Sequence, residues 1–172
     1  MENENLKNLI IRIRNGDRDA LSELYSAMKT RVYALALVYT KSDSDACDVM
    51  QNVFMTVWNR AGTFRGGNPS SWILKITRNA ALDCLRMRRH RAELSDEIYA
   101  PDCFERISDS ETVRNLLSHL KEDERETVLL YSYGYSHAEI ASITGRPQAT
   151  VRWKYSNAVK KLRKLYGGED NE

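Results

Sequence analysis

Apolar residues recur along this chain with the 3.6-residue period of a helix, and no stretch alternates with the period of two that a half-buried strand requires. Only three prolines punctuate its 172 residues. A chain patterned this way has one route to a core, which is to pack helices by their apolar stripes. The fold class is therefore all-α. At 42% apolar and 29% charged, the chain can bury one ordinary core or two small ones.

The stripes and their caps place the helices. Asp17 or Asp19 opens a long helix to about Thr40, with Leu21, Leu24, Tyr25, Met28, Val32 and Leu35 on one face. Ser42 or Ser44 caps the next, which runs to about Asn59 and carries Ala46, Val49, Met50, Val53, Val57 and Trp58 inward. A turn-rich loop, Gly62 to Asn68, leads to Pro69 in the first turn of a helix from about Ser70 to His90. Helical pattern resumes at about Glu111 with Val113, Leu116, Leu117 and Leu120. A further helix spans about Glu122 to Tyr133 and stops near Gly134.

Charge divides the chain more sharply than its net +2 shows. Residues 1–92 hold 15 Lys/Arg against 9 Asp/Glu, residues 93–111 hold 1 against 7, and residues 112–172 hold 10 against 8. Two basic bodies flank an acidic strip that lacks periodicity, the pattern of two modules and a flexible linker. The expected domains are 1–91 and 111–167, with a linker at 92–110 and a tail at 168–172.

The sharpest local signal runs from Ser136 to Leu165. Ser136-His137-Ala138-Glu139 has the form of a capping box. Ile140 and Ile143 then point inward, Gly145 suits a left-handed helix end, and Pro147 follows. Beyond it Val151, Tyr155, Ala158, Leu162 and Leu165 step by four and three along one face. The opposite face holds Ala149, Trp153, Ser156, Asn157 and Lys160, with Arg152 on its flank. From Arg146 to Lys164 there are seven basic residues and no acidic one. A cationic helix behind a short capped helix is the geometry that enters the major groove of DNA. The bland alternative is a helical hairpin with a solvated basic face. If roughly four of these cations meet phosphates, log K falls with log salt at a slope of about −3.6.

Other classes are excluded or disfavoured. The cysteines, Cys47, Cys84 and Cys103, are odd in number and form no CxxC, and the three histidines are scattered. Neither a disulfide framework nor a metal site is expected, and no cofactor. The opening residues carry no basic stretch before an apolar one. The longest apolar run, Ala34 to Val38, is too short for a bilayer, so a cytoplasmic location is expected. No Walker loop, HExxH or GxSxG occurs, and an enzyme is not expected.

Two segments remain: Asp48-Val49-Met50-Gln51-Asn52-Val53-Phe54, and Trp72 through Arg86 with Arg78-Asn79 and Asp83 within it. Together they closely resemble region 2 of the extracytoplasmic-function (ECF) sigma factors, and the helix-turn-helix resembles their region 4. The resemblance covers about residues 17–91 and 111–166, in that order. It implies an alternative sigma factor that binds core RNA polymerase and directs promoter recognition. By the same resemblance, Asp48, Gln51, Asn52 and Met55 would dock on the clamp helices of the polymerase β′ subunit, and region 4 would meet the β flap. Phe64, Arg78, Asn79, Asp83, Arg86 and Arg89 would hold the melted −10 strand, with the 62–71 loop as a pocket for a flipped base. Phe64 and Trp72 are equally able to serve as core.

Gln148, Thr150, Arg152, Trp153, Ser156 and Lys160 would meet the −35 duplex. An anti-sigma factor is the implied inhibitor, and the acidic linker would follow a cationic polymerase channel. The sequence departs from the family at Ala149, where Gly is usual, and at Trp153, where a small polar residue is usual. A free-standing helix-turn-helix regulator is the alternative reading.

Overall fold

In the computed structural model, which describes residues 2–92 and 119–166, every regular element is helical. The chain divides into two compact units, residues 1–103 and 104–172. The N-terminal unit holds α1 (Glu2–Arg14), α2 (Arg18–Thr40), α3 (Asp43–Arg60), a 3-10 turn (Ala61–Thr63) and α4 (Pro69–Ala92). The C-terminal unit holds α5 (Glu122–Ser132), α6 (His137–Thr144) and α7 (Gln148–Tyr166). Among the described residues no helix is long and apolar enough to cross a membrane. The expected helix from about Glu111, with Val113, Leu116 and Leu117, and the linker before it lie outside the described residues.

α2 is the spine of the N-terminal unit and packs against α1, α3 and α4. Asp17 caps it, accepting from the backbone N–H groups of Asp19 and Ala20. The Ala20 N–H, followed by the side chain of Arg12, holds the Asp17 carboxyl below its ordinary value. Leu24, Met28, Val32 and Leu35 are fully buried, as the stripe predicts. Tyr25 is a correction: it is 36% exposed and its ring leans on Phe54 of α3 at 4.9 Å. It stands at the margin of the stripe, where the apolar face gives way to solvent.

The sequence reading opened the first helix at Asp17 and passed over α1. That helix buries Leu6, Leu9, Ile10 and Ile13, at spacings of three, one and three. Two acidic residues in its first turn and two basic ones in its last suit the helix dipole. The signal is an ordinary amphipathic one, short enough to be overlooked beside longer stripes.

In the C-terminal unit Leu130, Ile140, Val151 and Ala158 are fully buried, and Ile143 nearly so. Tyr155 packs its ring 4.2 Å from Tyr131 and edge-on to His137. Leu165, expected on the core stripe, is instead 51% exposed. Among the described helices, α5 and α6 are far shorter than α7, and the stripe outruns them.

Candidate polymerase and nucleic-acid surfaces

α3 begins at Ser42, whose hydroxyl accepts from the Asp45 N–H, and this fixes the rotation of every later residue. Ala46, Val49, Met50, Val53 and Val57 are buried. Asp48, Gln51, Asn52, Met55 and Asn59 are therefore driven to the other side, and all five are exposed. Met55, at 58% exposure, is an unbranched apolar side chain standing in water on an otherwise polar face. Such a side chain adapts to a partner surface at little conformational cost.

The 3-10 turn and two glycines in the left-handed region, Gly66 and Gly67, shape the next loop. Asn68 ends it by accepting from the Ser71 N–H at 3.1 Å, which starts α4. Phe64 and Trp72 lie with ring centroids 5.4 Å apart, tilted by 54°, and both are half-buried. Neither is wholly core nor wholly free.

Along α4 the sequence-predicted residues separate. Asn79, Asp83 and Arg86 are exposed. Asp83 accepts from Arg86 at 2.7 Å, so its charge is matched within its own helix. Arg78 is half-buried, its guanidinium 5.8 Å from the centre of the Tyr39 ring. Arg88 is turned back to Asp45 on α3 at 3.0 Å. The side chain of Arg89 lies outside the described residues.

The helix-turn-helix has the caps its sequence predicts. Ser136 accepts from the Glu139 N–H, and the Glu139 carboxylate accepts from the Ser136 N–H at 2.8 Å. Gly145 ends α6 at φ +68°, a conformation costly for any residue with a Cβ. On α7 Gln148, Arg152, Trp153, Ser156 and Lys160 are exposed, and Thr150 is half-buried.

The structure adds what the sequence reading missed, a row of acidic partners on α5. Arg146 donates to Glu126 at 2.7 Å, Lys161 to Glu124 at 2.7 Å, and Lys154 to Asp123. Glu126 is entirely buried and Glu124 almost so. Three of the seven cations therefore hold the module together, and Arg152, Lys160, Arg163 and Lys164 remain for a polyanion. The spacing of Lys154 and Lys161, seven residues or two turns apart, was the available signal.

Burial alone would raise the carboxyls of Asp123 and Glu124. The hydrogen bonds and charges of Lys154 and Lys161, with backbone N–H donors, outweigh it and hold both below their ordinary values. A carboxyl held low in the fold stabilises it fully above the unfolded-chain value and loses that effect as pH falls through the folded one. The urea midpoint of the C-terminal unit should hold steady from neutrality to the ordinary Glu value of 4.5 and then decline with further acid. A midpoint unchanged well below the ordinary Asp value of 3.8 would show that these pairs do not stabilise it.

Comparison with known proteins bears on both units. The chain matches the family model for sigma-70 region 2 over residues 24–91 and that for sigma-70 region 4 over residues 110–162. The ECF RNA polymerase sigma factor SigM of Mycobacterium tuberculosis is 30% identical over 156 residues, spanning 88% of this chain and 80% of SigM. The RNA polymerase sigma factor CarQ of Myxococcus xanthus is 30% identical over 164 residues, spanning 91% of this chain and 94% of CarQ. In fold, the chain is similar to the sigma factor RpoE solved with the anti-sigma factor NepR from Bartonella quintana. The TM-score is 0.71 at 22% identity, over 86% of this chain and 97% of that one.

Proposed function

Because this chain belongs to the ECF sigma factors of the sigma-70 family, we propose that it acts through three surfaces, one for polymerase and two for the promoter. The protein is an alternative sigma factor: it binds core RNA polymerase and directs it to promoters. The observation that carries this is the pair of family matches, region 2 and then region 4, each falling on one compact unit. A free-standing regulator would have no use for a region 2 module.

Asp48, Gln51, Asn52 and Met55 dock on the β′ clamp helices, supported by their shared exposure on one face of α3. Asn79, Arg78, Asp83, Arg86 and Arg89 follow the opened −10 strand, with Phe64 beside the base pocket. An unstacked base needs aromatic surface and cations near its backbone, and this end of the unit supplies both. Gln148, Thr150, Arg152, Trp153, Ser156 and Lys160 face the −35 duplex, while region 4 also meets the β flap. The region 2 module spans 1–91, the linker 92–110 and the region 4 module 111–167.

The protein works in the cytoplasm without chemistry of its own, the phosphoryl transfer being the polymerase's. An anti-sigma factor restrains it by covering the basic faces of both modules. The sigma factor RpoE, similar in fold, was solved in complex with the anti-sigma factor NepR. Run-off transcription tests the reading: core polymerase supplemented with this protein should start RNA at particular promoters of a genomic template. No promoter-dependent transcript, together with no co-elution with core polymerase, would refute it.

A further inference from the structure

We propose that Trp153 reads thymine through its methyl group, so that a T·A pair is a fixed position of the upstream duplex element. The inference rests on the duplex-reading role given to α7 above. Trp153 is 61% exposed, the highest value among the exposed large apolar side chains of the described residues. It lies on the side of α7 opposite the buried Val151 and Ala158, with the exposed Arg152 and Ser156 beside it. A helical side chain leans back over the preceding turn. One turn before Trp153 stand Ala149, exposed and bearing only a methyl, and the half-buried Thr150, so no long side chain precedes the indole there. The nearby Lys154 ammonium, 5.7 Å from the ring centre, is held by Asp123 and stays beside the ring.

The chemistry of the indole decides what it can distinguish. It has one N–H donor and no acceptor. In the major groove both purines and thymine present acceptors, so one donor separates them poorly. The thymine methyl is an apolar group that no other base carries. A broad ring flanked by phosphate-seeking cations is suited to cover that methyl and exclude water from it. Burying one methyl-sized group strengthens binding about fourfold, and two adjacent methyls by roughly fifteenfold. Discrimination of this kind is shallow and shape-based, unlike the hydrogen-bonded readout of a guanine by arginine.

The test uses the full chain bound to core polymerase. The probe is a duplex library randomised only in its upstream part and synthesised there with thymine. Selected duplexes are then rebuilt with uracil at each fixed thymine, which removes the methyl and keeps every hydrogen-bonding group. The wild-type complex should bind at least one uracil version about fourfold more weakly. The Trp153→Ser and Trp153→Phe variants keep an exposed position exposed, so both should fold. The serine variant should bind both versions alike, and the phenylalanine variant should retain part of the difference. Equal binding of both versions by the wild type, or an undiminished difference in Trp153→Ser, would overturn the inference. If the wild-type complex selects no upstream motif at all, the duplex-reading role of α7 fails and the inference falls with it.

Discussion

Replacing Arg146 with alanine is expected to destabilise the C-terminal unit by about 3–5 kcal/mol, the cost of breaking a buried ion pair. Glu126 is wholly excluded from solvent and Arg146 only partly exposed, and their contact spans twenty residues of sequence. The pair pins α5 to the turn between α6 and α7, the turn that sets the angle of the helix-turn-helix. Loss of the guanidinium removes a charge-assisted hydrogen bond from a carboxylate that is excluded from solvent. Hydrogen exchange resolves the effect: the amides of α5, α6 and α7 should lose protection while those of α2 and α3 keep theirs. A double variant, Glu126→Gln with Arg146→Met, removes the charge and fills the space, and should recover much of the loss. Unchanged protection in Arg146→Ala would mean that the pair is energetically idle.

Changing Asp48 and Gln51 together to alanine should abolish co-elution with core polymerase and leave the fold intact. Both side chains are exposed and neither contributes to the buried stripe of α3. Exposed substitutions of this kind usually shift stability by no more than about 0.5 kcal/mol. At the centre of an interface, by contrast, a truncated anchor costs about 2 kcal/mol or more, roughly thirtyfold in affinity. Two such losses would take a tight complex out of the range that survives gel filtration. The unfolding midpoint of the double variant should match the wild type. Retention of polymerase binding would place the docking surface elsewhere.

The salt dependence expected of α7 gains a physical basis from the ion pairs. The sequence offers seven cations between Arg146 and Lys164 with nothing to rank them. In the structure Arg146, Lys154 and Lys161 are matched by Glu126, Asp123 and Glu124. The four others are the ones free to displace counterions, the number from which a slope of about −3.6 follows. The same acidic row explains how so basic a helix packs tightly without self-repulsion.

Much of this protein is written in its period and its punctuation. The stripes of α2 and α3, the cap at Ser42 and the Ser136–Glu139 box with Gly145 are local: spacing on a helix and the demands of free N–H groups decide them. For the same reason the exposure of Asp48, Gln51, Met55 and Trp153 could be read as the side opposite a stripe. α1 was equally legible in Leu6, Leu9, Ile10 and Ile13.

What the chain could not declare are the contacts between distant segments. That Glu126 meets Arg146, that Arg88 turns back to Asp45, and that Tyr25 leans outward on Phe54 depend on which helices lie side by side and how far each extends. Leu165 fits its stripe and is nevertheless exposed, lying beyond the reach of the short α5 and α6 among the described helices. Period and caps are properties of one helix, whereas charge pairing and burial belong to the space between helices, which only the tertiary structure defines.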